Sequence, residues 1–206
     1  MGNNWIKKQK REKFYKQAHK EGLRSRAAYK LRQIQAKYRI LNDAKLVLDL
    51  CCAPGSWIQE IKRNYEDVAI LGIDLVKIKP IEGTLFIQGD IRDENFIKNL
   101  GETLKRDVDV IISDCAPKIT GIKETDYSRQ LFLVESVLKI ASFYLMKGGH
   151  LVCKLFDGDY TPKIRSQLEL SFEKVDLFKP EASKKKSAEL YLIGRNYNKT
   201  ILTLNL

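Results

Sequence analysis

Short apolar runs alternate with longer amphipathic stretches along the chain from Lys45 onward. The runs are Leu46 to Leu50, Val68 to Ile73, Thr84 to Ile87, Val108 to Ser113, Gly149 to Leu155, Phe172 to Phe178 and Leu190 to Gly194. The helix-length segments between them are Trp57 to Asn64, Ile91 to Leu104, Tyr127 to Met146 and Pro162 to Leu170. Runs that are hydrophobic throughout are typical of parallel strands covered on both faces. The pattern therefore predicts a doubly wound α/β fold.

The last two runs break this alternation. About a dozen residues separate them, with Pro180 and a lysine cluster but no helical pattern. A parallel crossover needs a dozen residues or more and usually contains a helix. We therefore expect the seventh strand to run antiparallel to its neighbours.

The N-terminal segment carries the excess charge of the protein. Residues 1–39 hold 13 Lys and Arg against Glu12 and Glu21, whereas the other 167 residues hold 24 basic and 24 acidic side chains. Two helices are predicted here, Trp5 to Lys20 and Arg26 to Tyr38, and in the second an apolar stripe including Leu31 faces inward. A charge excess confined to one segment indicates a contact with a polyanion, and the alternative is a solvated basic tail.

Length and composition indicate one domain. The chain has 206 residues, of which 44% are hydrophobic, enough for one core and too few for two ordinary domains. We expect a basic helical segment at 1–39 and the main body at 40–206 within that single domain.

No apolar stretch approaches the roughly 18 residues of a membrane span, and no apolar run with a cleavage site follows Met1. We expect a soluble cytoplasmic protein with no membrane partner.

The four cysteines, Cys51, Cys52, Cys115 and Cys153, contain no CxxC pair and have no histidine at ligand spacing. This pattern predicts neither a zinc site nor a disulfide framework. It favours small buried residues near strand ends.

A loop of small residues follows the first predicted strand. Its sequence is Asp49-Leu50-Cys51-Cys52-Ala53-Pro54-Gly55-Ser56-Trp57, and a helix follows. Such a turn lets the backbone approach a ligand at the carboxyl edge of the sheet. The loop lacks both GxGxxG and GxxxxGK(S/T), so neither a dinucleotide cradle nor a P-loop is indicated. S-adenosylmethionine contains no phosphate and needs neither.

Carboxylates end the next two strands. Asp74 lies 19 positions after Gly55, near the distance at which an acidic residue holds ribose hydroxyls. Asp90 ends the third strand and is placed to accept from an adenine amino group. The predicted cofactor-binding residues are Asp49, Ala53, Pro54, Gly55, Ser56, Trp57, Asp74, Leu75, Asp90 and Ile91.

Six stretches of the chain closely resemble the FtsJ-like family of ribosomal RNA large-subunit 2′-O-methyltransferases. They are Ser25 to Leu31, Asp49 to Trp57, Ile87 to Asp90, Ser113 to Pro117, Val152 to Phe156 and Ser187 to Tyr191. The resemblance implies a Rossmann-like methyltransferase fold with a seven-stranded, mostly parallel sheet, and S-adenosylmethionine as the methyl donor. It also implies a catalytic set at Lys30, Asp114, Lys154 and Glu189, with Asp114 contacting the cofactor as well. The family often has glycine or alanine where this chain has Cys51, Cys52 and Ser56.

The strand order expected for this fold brings the catalytic set together. In the order 3-2-1-4-5-7-6, Asp114 follows strand 4 and Lys154 closes strand 5 at the cofactor edge. Because strand 7 runs backwards, its first residue, Glu189, arrives at the same edge. We expect Lys154 to act as the base that removes a ribose hydroxyl proton, or to orient that hydroxyl. Burial and the ammonium of Lys30 favour its neutral form, whereas Asp114 opposes it.

The sequence predicts a monomeric 2′-O-methyltransferase acting on RNA, with uridine in large-subunit ribosomal RNA as the expected target. The alternatives are methylation of transfer RNA or an mRNA cap, and a noncatalytic RNA-binding assembly factor, while a dinucleotide dehydrogenase is the weakest. The residues predicted to contact RNA are Lys7, Lys8, Lys10, Arg11, Lys13, Arg24, Arg26, Arg32, Lys184, Lys185 and Lys186.

Overall fold

A seven-stranded sheet forms the centre of the protein, as seen in a computed structural model that describes residues 14–184, 187–199 and 202. The strands are β1 (Leu46–Leu50), β2 (Ala69–Asp74), β3 (Leu85–Gln88), β4 (Val108–Ser113), β5 (Leu145–Phe156), β6 (Phe172–Phe178) and β7 (Glu189–Tyr197). Their order across the sheet is β3-β2-β1-β4-β5-β7-β6. The pairs among β1 to β5 are parallel, whereas β7 pairs antiparallel with both β5 and β6. The predicted α/β class, strand order and reversed seventh strand are confirmed.

Helices cover both faces of the sheet. They are α1 (described over 14–20), α2 (Ala28–Tyr38), α3 (Ser56–Asn64), α4 (Glu94–Leu104), α5 (Lys123–Tyr144) and α6 (Thr161–Glu169). Residues of α4, α5 and α6 pack in one core cluster, and residues of α2 and α3 pack in a second. Neighbouring β1 residues alternate between the two, with Val47 in the second cluster and Leu48 in the first. Both faces of β1 are therefore buried, which explains why every residue of this strand except Asp49 is apolar.

The N-terminal helices pack against the body of the protein. Leu31 and Ile34 of α2 are buried in the cluster that contains α3, as the apolar stripe predicted. Ala18 of α1 packs in a small cluster with Ala28 and Tyr29. Of the helix predicted over residues 5–20, the part before residue 14 lies outside the described residues.

Two element boundaries differ from the predicted ones for local reasons. The helix predicted from Ile91 begins at Glu94, because the Asp93 carboxylate accepts hydrogen bonds from the amides of Asn95 and Phe96 and so caps α4 there. Strand β5 begins at Leu145, four residues before the predicted start, and a register shift lies opposite it in β4 between Val108 and Val110. A strand that contains Gly148 and Gly149 resembles a turn when only local sequence is considered.

Within the described residues, no helix is both long and apolar enough to cross a membrane.

Candidate active site

Four charged side chains from distant parts of the chain meet at the carboxyl edge of the sheet. Asp114 follows β4, Lys154 lies near the end of β5, and Glu189 is the first residue of β7. Lys30 comes from α2, which packs in the core cluster that contains α3. Lys30 and Lys154 are only 7% and 5% exposed, so their ammonium groups depend on protein partners rather than on water.

The four side chains form one connected network. Lys154 Nζ lies 2.6 Å from Asp114 Oδ1 and 3.4 Å from Glu189 Oε2. Lys30 Nζ lies 2.8 Å from Glu189 Oε1 and 3.5 Å from Asp114 Oδ2. Lys154 also donates to the backbone oxygen of Asp114 at 2.9 Å. Each ammonium contacts both carboxylates, so the buried charges balance and the predicted convergence is confirmed.

The network changes the protonation of its members. Burial opposes ionisation of Glu189, but Lys154 and Lys30 overcome it and lower the pKa of this carboxyl to about 2. Burial also lowers the pKa of Lys154, yet the carboxylates of Asp114 and Glu189 more than offset it and raise that pKa above its usual value. Lys154 is therefore an ammonium in this state at neutral pH.

Tyr191 is a further member of the site, and it is not among the predicted site residues. Its hydroxyl donates to Asp114 Oδ1 at 2.5 Å, and its ring lies 5.8 Å from that of Trp57 and 5.6 Å from Lys30 Nζ. Burial, followed by the charges of Asp114 and Glu189, raises the pKa of Tyr191 well above its usual value. The available signal was its spacing, because residues two apart on a strand share a face and Tyr191 lies two positions after Glu189.

Gln130 supports the site from α5 and was also missed. It is fully buried, and its amide nitrogen donates to the backbone oxygens of Lys154 at 2.9 Å and Cys115 at 3.3 Å. These bonds tie β5 to the segment after β4, so Gln130 holds the backbones of both Lys154 and the residue next to Asp114.

The loop after β1 is held in place by Asp74 and by glycine geometry. Asp74 accepts a 2.8 Å hydrogen bond from the amide of Ala53 and another from that of Val76. Gly55 has φ +93, and a Cβ there would lie 2.9 Å from the Arg24 guanidinium. The positive φ favours glycine at this position, and a larger residue would also have to displace the Arg24 guanidinium.

Two of the predicted RNA-contacting arginines have partners within the protein. Arg24 donates to the backbone oxygens of Pro54, Lys79 and Pro80, and so clamps the loop after β1 against the segment after β2. Arg32 forms ion pairs with Glu60 and Glu21.

The RNA contacts of Arg24, Arg26, Arg32 and Lys184 stay predictions. The other residues predicted to contact RNA, Lys7, Lys8, Lys10, Arg11, Lys13, Lys185 and Lys186, lie outside the described part of the chain.

The remaining predicted cofactor residues occupy different environments. The Asp90 carboxylate is paired with Arg92, whose guanidinium lowers the pKa of Asp90. Ile91 is 4% exposed, whereas Leu75 is 54% exposed and free to cover a ligand. An adenine amino group would have to share the Asp90 carboxylate with Arg92.

Asp49 carries an unpartnered oxygen at the end of β1. Its side chain is 1% exposed, and Oδ2 has no hydrogen-bond partner among the residues described. Burial, together with the charges of Asp114 and Asp74, raises the pKa of Asp49 well above its usual value. A cationic group bound beside this carboxyl would reverse that penalty.

A sequence profile of the FtsJ-like methyltransferase family matches residues 23–197. This range includes the four network residues, the loop after β1 and the segment at Asp90 and Ile91. The chain belongs to this family.

Relatives in the FtsJ-like family span most of the chain. Proteins named ribosomal RNA large subunit methyltransferase E are 39% identical in Methanococcus vannielii (94% of this chain, 76% of theirs) and 38% identical in Nitrosopumilus maritimus (89% and 94%). A crystal structure of a ribosomal RNA methyltransferase from Plasmodium falciparum is 33% identical and superposes with a TM-score of 0.76 over 84% of this chain and 98% of that one. Membership of a methyltransferase family implies a bound methyl donor.

Two of the four cysteines are paired, contrary to expectation. Cys51 and Cys115 form a disulfide, with the Cα atoms 5.1 Å apart, so the expectation of four unpaired buried cysteines was wrong for this pair. They meet because β1 and β4 are neighbours and each cysteine lies just beyond its strand. Cys51 has φ 58, a left-handed conformation that favours glycine. Cys52 and Cys153 are free and buried, as expected.

Proposed function

We propose that this chain is an S-adenosylmethionine-dependent 2′-O-ribose methyltransferase acting on RNA. The observation that carries the proposal is the buried network of Lys30, Asp114, Lys154 and Glu189 beside the loop after β1. A module that only binds RNA needs no buried set of alternating charges, and charged groups that shift one another's pKa values in this way cluster at active sites. The names of the relatives support RNA as the substrate class.

The residues around the network suit S-adenosylmethionine, which supplies a methyl group already activated for displacement by its sulfonium. Asp74 would hold the ribose hydroxyls while its oxygens keep their bonds to Ala53 and Val76. Asp49, with its unpartnered buried oxygen, would bind the amino group of the methionine part. The Asp90 and Ile91 segment would take the adenine, and the loop from Ala53 to Trp57 would cover the methionine part.

The catalytic task left to the protein is to place a ribose hydroxyl and to remove its proton. We assign the removal to Lys154, whose neutral amine accepts the proton. Because Asp114 and Glu189 raise the pKa of Lys154, the amine is protonated at neutral pH and must lose that proton before it can act. Asp114 directs the amine through the 2.6 Å contact.

Lys30 and Glu189 complete the site in a supporting role. Lys30 lies between the two carboxylates and would balance part of their negative charge beside the incoming hydroxyl. Glu189 lies 3.4 Å from Lys154, farther than Asp114 does, so its removal should cost less activity.

The target that we propose is uridine in large-subunit ribosomal RNA, methylated by a monomer in the cytoplasm. The basic segment at 1–39 would bind RNA phosphates, and Lys30 joins that segment to the active site. In this proposal the body at 40–206 supplies the cofactor pocket and the other three network residues.

Methylation with labelled S-adenosylmethionine across RNA fractions, followed by mapping of the modified ribose, tests the proposal. We expect label on the 2′-oxygen in ribosomal RNA. Lys154→Ala should lower turnover at least 100-fold, within the range of about 10²–10⁴ typical of a general base, while cofactor affinity is retained. Lys174→Ala, an exposed lysine on β6, is the matched control and should keep full activity.

The pH profile tests the assignment of Lys154 as the base. Below a raised pKa, the neutral fraction of an amine grows about tenfold for each pH unit. The rate of the chemical step in wild-type protein should therefore rise between pH 7 and pH 9. A flat profile in single-turnover measurements would leave Lys154 with an orienting role only.

A further inference from the structure

Two tyrosines form a partly exposed aromatic pair at the carboxyl edge of the sheet. The rings of Tyr127 and Tyr160 are inclined by only 12°, with their centroids 6.2 Å apart. The backbone amide of Tyr160 donates to the Tyr127 hydroxyl at 3.0 Å. Tyr160 is 42% exposed, so part of its side chain faces solvent and the rest contacts the protein.

The pair lies on the same two connections as the catalytic network. Tyr127 is in the second turn of α5, which follows the loop after Asp114. Tyr160 is the N-cap of α6, in the short connection that follows β5 and Lys154. Asp157 of that connection donates from its amide to the backbone oxygen of Ala188 at 2.7 Å, directly before Glu189. Tyr160 thus lies three residues after Asp157, whose amide contacts the residue before Glu189.

The turn that presents Tyr160 is closely packed. A Cβ on Gly158 would lie 2.6 Å from the Tyr127 ring, so the turn backbone packs directly on that ring. The amide of Gly158 donates to Thr161 Oγ1, and the amide of Thr161 donates to the Gly158 backbone oxygen, each at 2.9 Å. An aromatic ring on a closely packed turn can bind a flat ligand with little loss of side-chain entropy.

The charges near the pair favour a nucleobase over a phosphate. Asp157 and Asp159 are exposed beside Tyr160 and would repel a phosphate. A base is uncharged, and its exocyclic amino group or ring N–H group can donate to carboxylates. On the α5 side, Lys118 and Arg129 are exposed, and the Arg129 guanidinium donates to the backbone oxygen of Lys118 at 3.5 Å. Both side chains can contact the phosphate backbone.

We propose that Tyr160, supported by Tyr127, stacks on a nucleobase of the RNA substrate next to the ribose that receives the methyl group. The inference rests on the proposed function and adds to it a position for one base. Single-stranded RNA bases are commonly bound by stacking on aromatic side chains, because every base has a π face. The exposed side chains of Ile119 and Ile122 in the loop before α5 extend the apolar surface.

Tyr160→Ala is the first test, with Tyr160→Phe as the variant that keeps the ring. We expect Tyr160→Ala to raise the KM for RNA by roughly 5- to 100-fold, the range for loss of one base–aromatic stack. Tyr160→Phe should stay within about twofold of wild type, and neither variant should change cofactor affinity. Phe143→Ala removes an aromatic ring that is 50% exposed at the other end of α5 and should change neither quantity. Equal KM values for wild type and Tyr160→Ala would overturn the proposal.

Abasic substitution identifies the base and separates this proposal from the function itself. A single-stranded oligouridine is prepared with one base removed at successive positions, and its affinity is measured for wild type and Tyr160→Ala. One abasic position should weaken binding to wild type yet leave Tyr160→Ala unaffected. If no position behaves in this way, the stacking proposal is wrong even where wild type methylates RNA. If wild type binds with this dependence but methylates no RNA, the proposed function fails and the stacking site stands.

Discussion

Replacement of Glu189 by glutamine tests the charge network most directly. The Glu189 carboxylate lies 2.8 Å from Lys30 and 3.4 Å from Lys154, and it accepts from the Ser183 hydroxyl at 2.7 Å. Glutamine keeps the shape but removes the charge, and its amide nitrogen replaces one of the two oxygens that accept from these donors. The part of the effect that depends on pH therefore reports the ionic interaction.

The expected magnitude follows from the pKa of this carboxyl. The network lowers it from 4.5 to about 2. At 1.36 kcal/mol per pKa unit, this difference corresponds to about 3 kcal/mol of folding stability at pH 7. Because the folded-state pKa is the lower one, the contribution is complete above about pH 4.5 and is lost as the pH falls toward about 2. At pH 3 about 1.5 kcal/mol should remain.

Urea unfolding of wild type and Glu189→Gln at pH 7 and pH 3 measures both values. The difference in unfolding free energy should shrink by about half between the two pH values. Glu169→Gln is the matched control, since Glu169 forms a pair with Arg165 in which both side chains are nearly half exposed. Exposed pairs contribute under about 1 kcal/mol, so the control should differ little from wild type at either pH. A Glu189→Gln difference that does not change with pH would refute the charge argument.

Three further predictions concern the cofactor, the disulfide and the N-terminal segment. Asp74→Ala should weaken S-adenosylmethionine binding about tenfold or more in calorimetry, since a lost charge-assisted hydrogen bond costs about 1.5–3 kcal/mol; unchanged affinity would remove Asp74 from the pocket. Dithiothreitol should lower the unfolding free energy of wild type by up to about 4 kcal/mol, the loop-closure entropy for the 64-residue separation of Cys51 and Cys115. It should not affect Cys115→Ser, and equal sensitivity of both proteins would contradict a stabilising bond. Deleting residues 1–13 removes five basic side chains and Glu12 but keeps the described part of α1. The slope of log RNA affinity against log salt should become shallower by up to about 3 units. A tail that only improves solubility predicts equal slopes for the two proteins.

The sequence by itself determined the architecture and the members of the charge network. The run at Leu46–Leu50 matches β1 at both ends, because burial on both faces of a strand requires nearly continuous apolar residues. The predicted bounds Phe172–Phe178 also match β6, in which only Phe172 and Val175 are buried. The convergence of Asp114 and Glu189 followed from strand order and direction, which depend on connection length and on the resemblance to the family. Periodicity, spacing and motif are properties of the chain itself, so these features can be inferred without coordinates.

Tertiary structure alone decided how those residues are paired and charged. The Cys51–Cys115 bond, the Tyr191 hydrogen bond to Asp114 and the role of Arg24 as a loop clamp each join segments far apart in sequence. The direction of the Lys154 pKa shift also required coordinates, because burial and two carboxylates act in opposite senses and their balance depends on distances of a few ångströms. A sequence names the charges that meet at a sheet edge, but only the packed structure gives the separations at which they act.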